Sequence, residues 1–281
     1  MRFLFECSAV THIGNRRRNN EDNFFIGSGT LLSPEEQRSM SQTQNRMVRK
    51  ATCLDGAVNR IYAVSDGIGG HRDGEAASRI AVETLSVFSQ QRQTKSCGRR
   101  REKYAFIQAF QDMIGRANGK MLGPAGGSDP DGMGATLTGV LCFADEAVAF
   151  NIGDSSTFLY ENGSIQKLTV DDNEAERFQG TDPALLEAHG RRLTKYLGMP
   201  RSCGALTARI SPPVPLRPGQ IYLAASDGLT GCLPPDELAR AIREAGCAPG
   251  PASVRLAEAA LEREGGGSDN ITAVLVKVLS R

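Results

Sequence analysis

Four places in the chain set carboxylates against an apolar run, where a rigid element can hold them. Asp66 follows Ile61-Tyr62-Ala63-Val64-Ser65 and precedes Gly67-Ile68-Gly69-Gly70-His71, while Asp227 follows Ile221-Tyr222-Leu223-Ala224-Ala225-Ser226 and precedes Gly228. Asp269 stands with Asn270 at the head of Ile271–Leu279, and Glu21-Asp22 stand just before Phe24-Phe25-Ile26. An aspartate next to a buried strand presents its carboxylate at a sheet edge, and several such ends can converge. The repeated Ser-Asp-Gly, at 65–67 and 226–228, would bring equivalent carboxylates from two strands to one place. Glycine lets backbone approach a ligand closely, so the Gly67 carbonyl can itself be a ligand. Four or more carboxylates in one cleft raise each other's pKa and cannot all stay ionised without cations. Oxygen-only donors favour Mg²⁺ or Mn²⁺ over zinc.

Each of these pieces alone is common, and Ser-Asp-Gly is an ordinary turn. The Gly67–Gly70 stretch has neither of the glycine spacings used by nucleotide-binding loops. Specificity lies in the ordered combination.

The elements that must position these residues can be read from periodicity. Short β-branched runs at 60–65, 135–142, 147–152, 157–160, 220–225 and 271–279 predict strands. Helical spacing predicts an amphipathic pair, Gly74–Gln91 with Ala77, Ala81, Leu85 and Phe88 on one face and Tyr104–Leu122 with Ile107, Phe110, Ile114 and Met121. A second pair, Pro235–Ala245 and Pro251–Glu264, precedes the last strand, each with proline in its first turn. Strand-rich blocks interrupted by paired helices indicate an α+β fold with antiparallel sheets and helices outside. Residues 31–59 are polar and weakly periodic and read as a long loop insertion with one short helix. Residues 171–199 read either as a mobile flap beside a binding site or as an ordinary surface excursion.

Composition narrows the function classes. The 281 residues carry 33 basic and 32 acidic side chains, a net charge of +1, with 40% hydrophobic residues. That balance gives no electrostatic case for a nucleic-acid or membrane-surface partner. One domain, 1–281, is expected, with no long linker to divide it. Seven scattered cysteines without a Cys-x-x-Cys pair suit a reducing compartment, and no signal peptide or 18-residue apolar run is present, so a cytoplasmic location is expected.

With these residues in order, the chain resembles the metal-dependent serine/threonine protein phosphatases of type 2C, most closely the compact stand-alone bacterial members. The resemblance runs from Thr11 to Val278. It rests on Arg17-Arg18-Asn19-Asn20-Glu21-Asp22, Asp66-Gly67-Ile68-Gly69-Gly70-His71, Gly132-Met133-Gly134-Ala135-Thr136 and Asn151-Ile152-Gly153-Asp154-Ser155. Leu193–Met199, Ser226-Asp227-Gly228 and Ser268-Asp269-Asn270-Ile271-Thr272 complete the series. It implies a four-layer α/β/β/α fold, a central antiparallel sandwich flanked by helix pairs with a metal cleft at one edge.

The resemblance also implies a role for each matching position. Asp66, Asp227 and Asp269 would ligate two Mn²⁺ or Mg²⁺ ions, with Asp66 bridging and Gly67 offering its carbonyl. Glu21 and Asp22 would bind or orient metal-bound water, and Asp129, with Asp131 as its rival, would serve a third ion. Arg17 would bind the phosphate, a task that suits a planar guanidinium; its choice over Arg16 and Arg18 rests on spacing. Asp154 reads as a turn residue and His71 as structural. Ile68 stands where many eukaryotic members have a histidine, so the leaving group would take its proton from elsewhere, a metal-bound water. The implied activity is hydrolysis of phosphoserine and phosphothreonine, opposing a kinase, by a monomer acting on phosphorylated proteins. An idle relative that only binds phosphoproteins would lack one of Asp66, Asp227 and Asp269, and this chain keeps all three. A phosphatase for a small metabolite would need a deep pocket.

Overall fold

The structure is a computed structural model. It describes residues 3–27, 29–42, 47–55, 60–68, 73–92, 100–122, 132–175 and 192–280.

Alternation along the strands builds the architecture. In β5 (Arg60–Ser65), Tyr62 and Val64 enter one core while Ile61 and Ala63 enter another. In β12 (Ile221–Ala225), Tyr222 and Ala224 point inward while Ile221, Leu223 and Ala225 point to a third core. Successive side chains leave a strand on opposite faces, so runs apolar at every position require cover on both sides. A sandwich with helices outside supplies that cover.

The first sheet adds to β12 the strands β1 (Leu4–His12), β4 (Met47–Asp55), β8 (Ser156–Glu161), β9 (Ser164–Lys167) and β13 (Ile271–Leu279), in the order β4-β1-β13-β12-β8-β9. The second adds to β5 the strands β2 (Asn23–Ile26), β3 (Thr30–Leu31), β6 (Leu137–Cys142), β7 (Glu146–Ile152), β10 (Arg209–Ile210) and β11 (Val214–Pro215). Its order is β10-β7-β6-β5-β2-β3, with β11 also against β7. Every described strand pairing is antiparallel. Phe5, Phe24, Tyr62, Tyr222 and Val274 fill the space between the sheets.

Two helices, α2 (Gly74–Arg92) and α3 (Arg100–Leu122), cover the second sheet, packing Leu85, Phe88, Phe110 and Ile114 onto Phe25, Ile61 and Phe150. Phe110 meets Phe150 at a ring-centroid distance of 4.7 Å. After the short α4 (Asp227–Thr230), α5 (Pro235–Glu244) and α6 (Pro249–Glu264) cover the first sheet through Leu238, Ile242, Leu256 and Ala260. This is the α+β, antiparallel, helix-flanked sandwich expected from the pattern. No helix among the described residues is long and apolar enough to cross a membrane.

Several sequence expectations require correction. Residues 31–59 hold the one short helix expected, α1 (Pro34–Gln42), but in place of the expected loop they also supply the nine residues of β4, which pairs with β1 from Leu4↔Asp55 to His12↔Met47. An edge strand interrupted by Arg49, Lys50 and Thr52 lacks the continuous apolar run that marks a strand with two covered faces. Periodicity also does not mark strands β1, β2 and β9. In β1, Ser8 and Thr11 are fully buried and break the apolar run.

Candidate active site

Antiparallel register gathers the marked residues at one end of the sandwich. Asn23 pairs with Ser65, so Glu21 and Asp22 enter β2 where Asp66 leaves β5. Ala225 pairs with both Ala273 and Ser156, so Asp227 leaves β12 beside the entries to β13 and β8. Arg17, Asp66, Asp154, Asp227 and Asp269 line a single cavity of about 480 Å³, together with Ile68, Thr136, Arg192, Leu193 and Tyr196. Of the three adjacent arginines, only Arg17 lines it.

Close backbone approach sets the two Ser-Asp-Gly corners. The Gly67 N–H donates to the Glu21 carbonyl at 3.1 Å, and a Cβ at Gly67 would lie 2.3 Å from the Gly74 oxygen. A Cβ at Gly228 would lie 2.0 Å from the Asn270 oxygen, beside Asp269. Gly228→Ala must therefore push apart the segments that carry Asp227 and Asp269. The expected result is a loss of about 1–3 kcal/mol in denaturant unfolding and of about 10²-fold in turnover from misplaced groups. Unchanged turnover would show that this spacing is not required.

The carboxylates repel one another. Burial, followed by the charges of Asp22, Asp227 and Asp154, holds the Asp66 carboxyl well above the usual range. Burial pushes Asp22 up to about 7, against the influence of the nearby Thr272 hydroxyl and the hydrogen bond from the Ser226 hydroxyl, and with the charge of Asp227. Asp154 is raised to about 7 by burial and then by Asp227. Glu21 is raised by burial, against the pull of Arg17. Asp269 differs: burial raises it, but Arg17 and the Asn270 N–H together bring it below its ordinary value. Arg17 Nε and Nη2 hold the two Asp269 oxygens at 2.6 and 2.9 Å, and Arg17 Nη1 lies 3.6 Å from Glu21.

A seam of buried hydroxyls ties the sheets beneath these groups. Thr136 Oγ1 meets Ser155 Oγ at 2.7 Å and accepts the Asp66 N–H at 3.0 Å. Thr138 and Thr157 pair at 2.9 Å, and Ser226 Oγ donates to Asp22 Oδ2 at 2.8 Å.

Among the described residues, no three His, Cys, Asp or Glu side chains as placed close round one point as a finished metal cage. The donor set nevertheless fits a hard divalent cation. Every candidate ligand is an oxygen, the acids repel one another, and Asp22 Oδ1 is buried with no hydrogen bond. An uncompensated buried acceptor beside like charges is relieved by a cation.

The sequence-derived positions Arg17, Asp66, Asp227 and Asp269 line the cavity, with Glu21, Asp22 and Gly67 joined to its walls. Asp129, Asp131 and His71 lie outside the described residues, as do 176–191 of the 171–199 segment. The described end of that segment reaches the cavity through Arg192, Leu193 and Tyr196, anchored by reciprocal Ala135–Leu197 hydrogen bonds of 3.0 and 2.8 Å. Sequence reasoning gives those three residues no role and treats Asp154 as a turn. Membership of Leu193 and Tyr196 in a motif block is the available signal.

Known proteins share this arrangement. The protein phosphatase 2C family matches residues 48–241. The serine/threonine protein phosphatase PstP of Mycobacterium tuberculosis is 29% identical over 229 residues, 78% of this chain and 40% of that protein, so the chain spans less than half of PstP. The serine/threonine phosphatase stp of Listeria monocytogenes is 29% identical over 223 residues, 77% of this chain and 84% of the relative. Among solved structures, the catalytic domain of PstP in complex with two manganese ions superposes with a TM-score of 0.72 at 24% identity, covering 100% of both chains. The Streptococcus agalactiae serine/threonine phosphatase gives 0.72 at 22% identity, covering 98% of this chain and 100% of that one. With more than half of its length matched and its fold shared from end to end, the chain belongs to the protein phosphatase 2C family of serine/threonine protein phosphatases.

Proposed function

We propose that this chain, as one domain over 1–281, hydrolyses phosphoserine and phosphothreonine in proteins with the help of two Mn²⁺ or Mg²⁺ ions. The observation that carries this reading is the convergence of Asp66, Asp227 and Asp269 from both sheets on one cavity that also holds Arg17. Manganese is bound by the PstP catalytic domain, and the oxygen-only acids here suit the same ion.

Asp66, Asp227, Asp269 and the Gly67 carbonyl would hold the ions, with Glu21 and Asp22 completing the set directly or through water, and Asp129 serving a third. When bound, divalent ions lower the pKa of water and draw charge from phosphoryl oxygens. Arg17 presents a planar fork at the cavity wall, suited to two oxygens of a phosphate. Ile68, Leu193 and Tyr196 form the apolar side of the cavity and limit water there. Asp22 is fully buried, which keeps its carboxylate from rotating into solvent, while the partly buried Asp66 faces the cavity. The partners are phosphorylated proteins and the kinase that modifies them, and the chain works as a monomer. The scattered cysteines, with no Cys-x-x-Cys pair, suit a reducing, cytoplasmic setting.

Hydrolysis of p-nitrophenyl phosphate and a phosphothreonine peptide, with EDTA, Mg²⁺ or Mn²⁺, tests the reading. Turnover that needs added metal supports it; no turnover with any metal, in folded protein that still binds phosphopeptide, would replace it with a binding module. Arg17→Lys keeps the charge but loses the fork, so kcat/KM on the peptide is expected to fall about 10–100-fold. An unchanged value would remove Arg17 from phosphate binding.

A further inference from the structure

The serines of the two Ser-Asp-Gly steps have different partners. Ser65 Oγ donates to the Thr136 carbonyl at 2.7 Å, within its own sheet. Ser226 Oγ crosses the sandwich to Asp22 Oδ2 at 2.8 Å and accepts the Thr272 N–H at 2.9 Å. Its other acceptor, the Thr272 carbonyl, is distant at 3.5 Å. A hydroxyl has one proton, and here it goes to Asp22. Ser226 also begins a short helix, a position where serine commonly caps, yet its side chain makes no cap hydrogen bond.

Asp22 is gripped from its backbone as well. Its N–H donates to Asn20 Oδ1 at 3.2 Å, while Asn20 Nδ2 donates to Thr11 Oγ1 at 2.8 Å and Thr11 pairs with Thr272 Oγ1 at 2.7 Å. The chain Asn20–Thr11–Thr272–Ser226 thus starts and ends on Asp22, and all of these residues are buried. It occupies Oδ2 and leaves Oδ1 buried without a hydrogen bond.

We propose that Ser226 is a positioning residue: its hydroxyl ties Asp22 Oδ2 across the two sheets and so fixes Oδ1 as a donor toward the divalent ions. This rests on the metal-dependent reading above. A merely structural tie between sheets would be equivalent to the Thr138–Thr157 pair, which joins the same sheets through two hydroxyls.

The test is calorimetric titration of Mn²⁺ into the full chain after chelator treatment, with metal-free melting measured in parallel. Ser226→Ala and the nearly isosteric Ser226→Cys are expected to bind Mn²⁺ about 10–100-fold more weakly, the usual cost of losing a hydrogen-bond partner of a metal ligand. Thr138→Val, melting earlier for loss of its own tie, is expected to stay within about twofold of wild-type affinity. Folded Ser226→Ala or Ser226→Cys protein with wild-type affinity would overturn the proposal, as would an equal loss in Thr138→Val. Wild-type protein that takes up no Mn²⁺ would overturn the metal reading itself and this inference with it, a result distinct from either.

Discussion

Asp66→Asn is expected to remove at least about 10³-fold of the phosphatase rate, because both charge stabilisation of the phosphoryl group and activation of the attacking water depend on the ions that Asp66 would hold. The same change should make the metal-free protein more stable. Asp66 is partly buried beside Asp22, Asp227 and Asp154, and each charge raises the cost of the others. Asparagine retains the shape and removes one member of the repelling set. Relief of ~1 kcal/mol would raise the thermal midpoint by about 2–4 °C for a domain of this size. The comparison is made in EDTA at pH 8–9, where the acids are most charged. Active Asp66→Asn, or a metal-free midpoint that falls sharply, would mean that these acids serve packing rather than cation binding.

Divalent ions should reverse that repulsion and stabilise the wild-type fold. A ligand bound only by the native state contributes about 2.7 kcal/mol at a hundred times its Kd, which corresponds to a rise of about 5–10 °C here. Melting in saturating Mn²⁺ or Mg²⁺ is therefore expected to exceed melting in EDTA by that amount, with Asp66→Asn losing most of the difference. The same EDTA treatment should abolish turnover, and restored metal should recover it. Identical midpoints with and without metal would contradict the placement of cations in the cleft.

Both expectations depend on residues that the amino-acid sequence alone marks out. Asp66, Asp227 and Asp269 stand out because strands covered on both faces write nearly continuous apolar runs, and their ends are plain to see. The helix pairs are equally visible, since α2, α3, α5 and α6 each bury one face. What stays hidden is whatever depends on cross-chain register. Strand β4 is an edge interrupted by Arg49, Lys50 and Thr52, and β1 carries buried Ser8 and Thr11, whose hydroxyls bond to Ser253 and Thr272 more than 240 residues away. Asp154 follows an ordinary Gly-Asp turn, and only the pairing of β8 beside β12 sets it near Asp227. Arg192 and Tyr196 reach the cavity through two backbone bonds between Ala135 and Leu197, 62 residues apart in sequence. Spacing singles out Arg17 among three arginines, but it carries no sign of the ion pair with Asp269.

That ion pair also bears on how the site is used. Arg17 occupies both oxygens of Asp269, so a cation held by Asp269 would compete with the guanidinium for one carboxylate. Ions on Asp269 would weaken that hold and leave the arginine fork for phosphate, which links metal uptake to substrate binding through a single side chain.

The most direct measurement is the anomalous scattering of manganese in crystals of the protein grown with Mn²⁺. Two peaks are expected in the cleft, both within ligand distance of Asp66 and reached by Asp227 and Asp269. Active crystals with no manganese in that cleft, or with manganese bound only elsewhere on the surface, would contradict it.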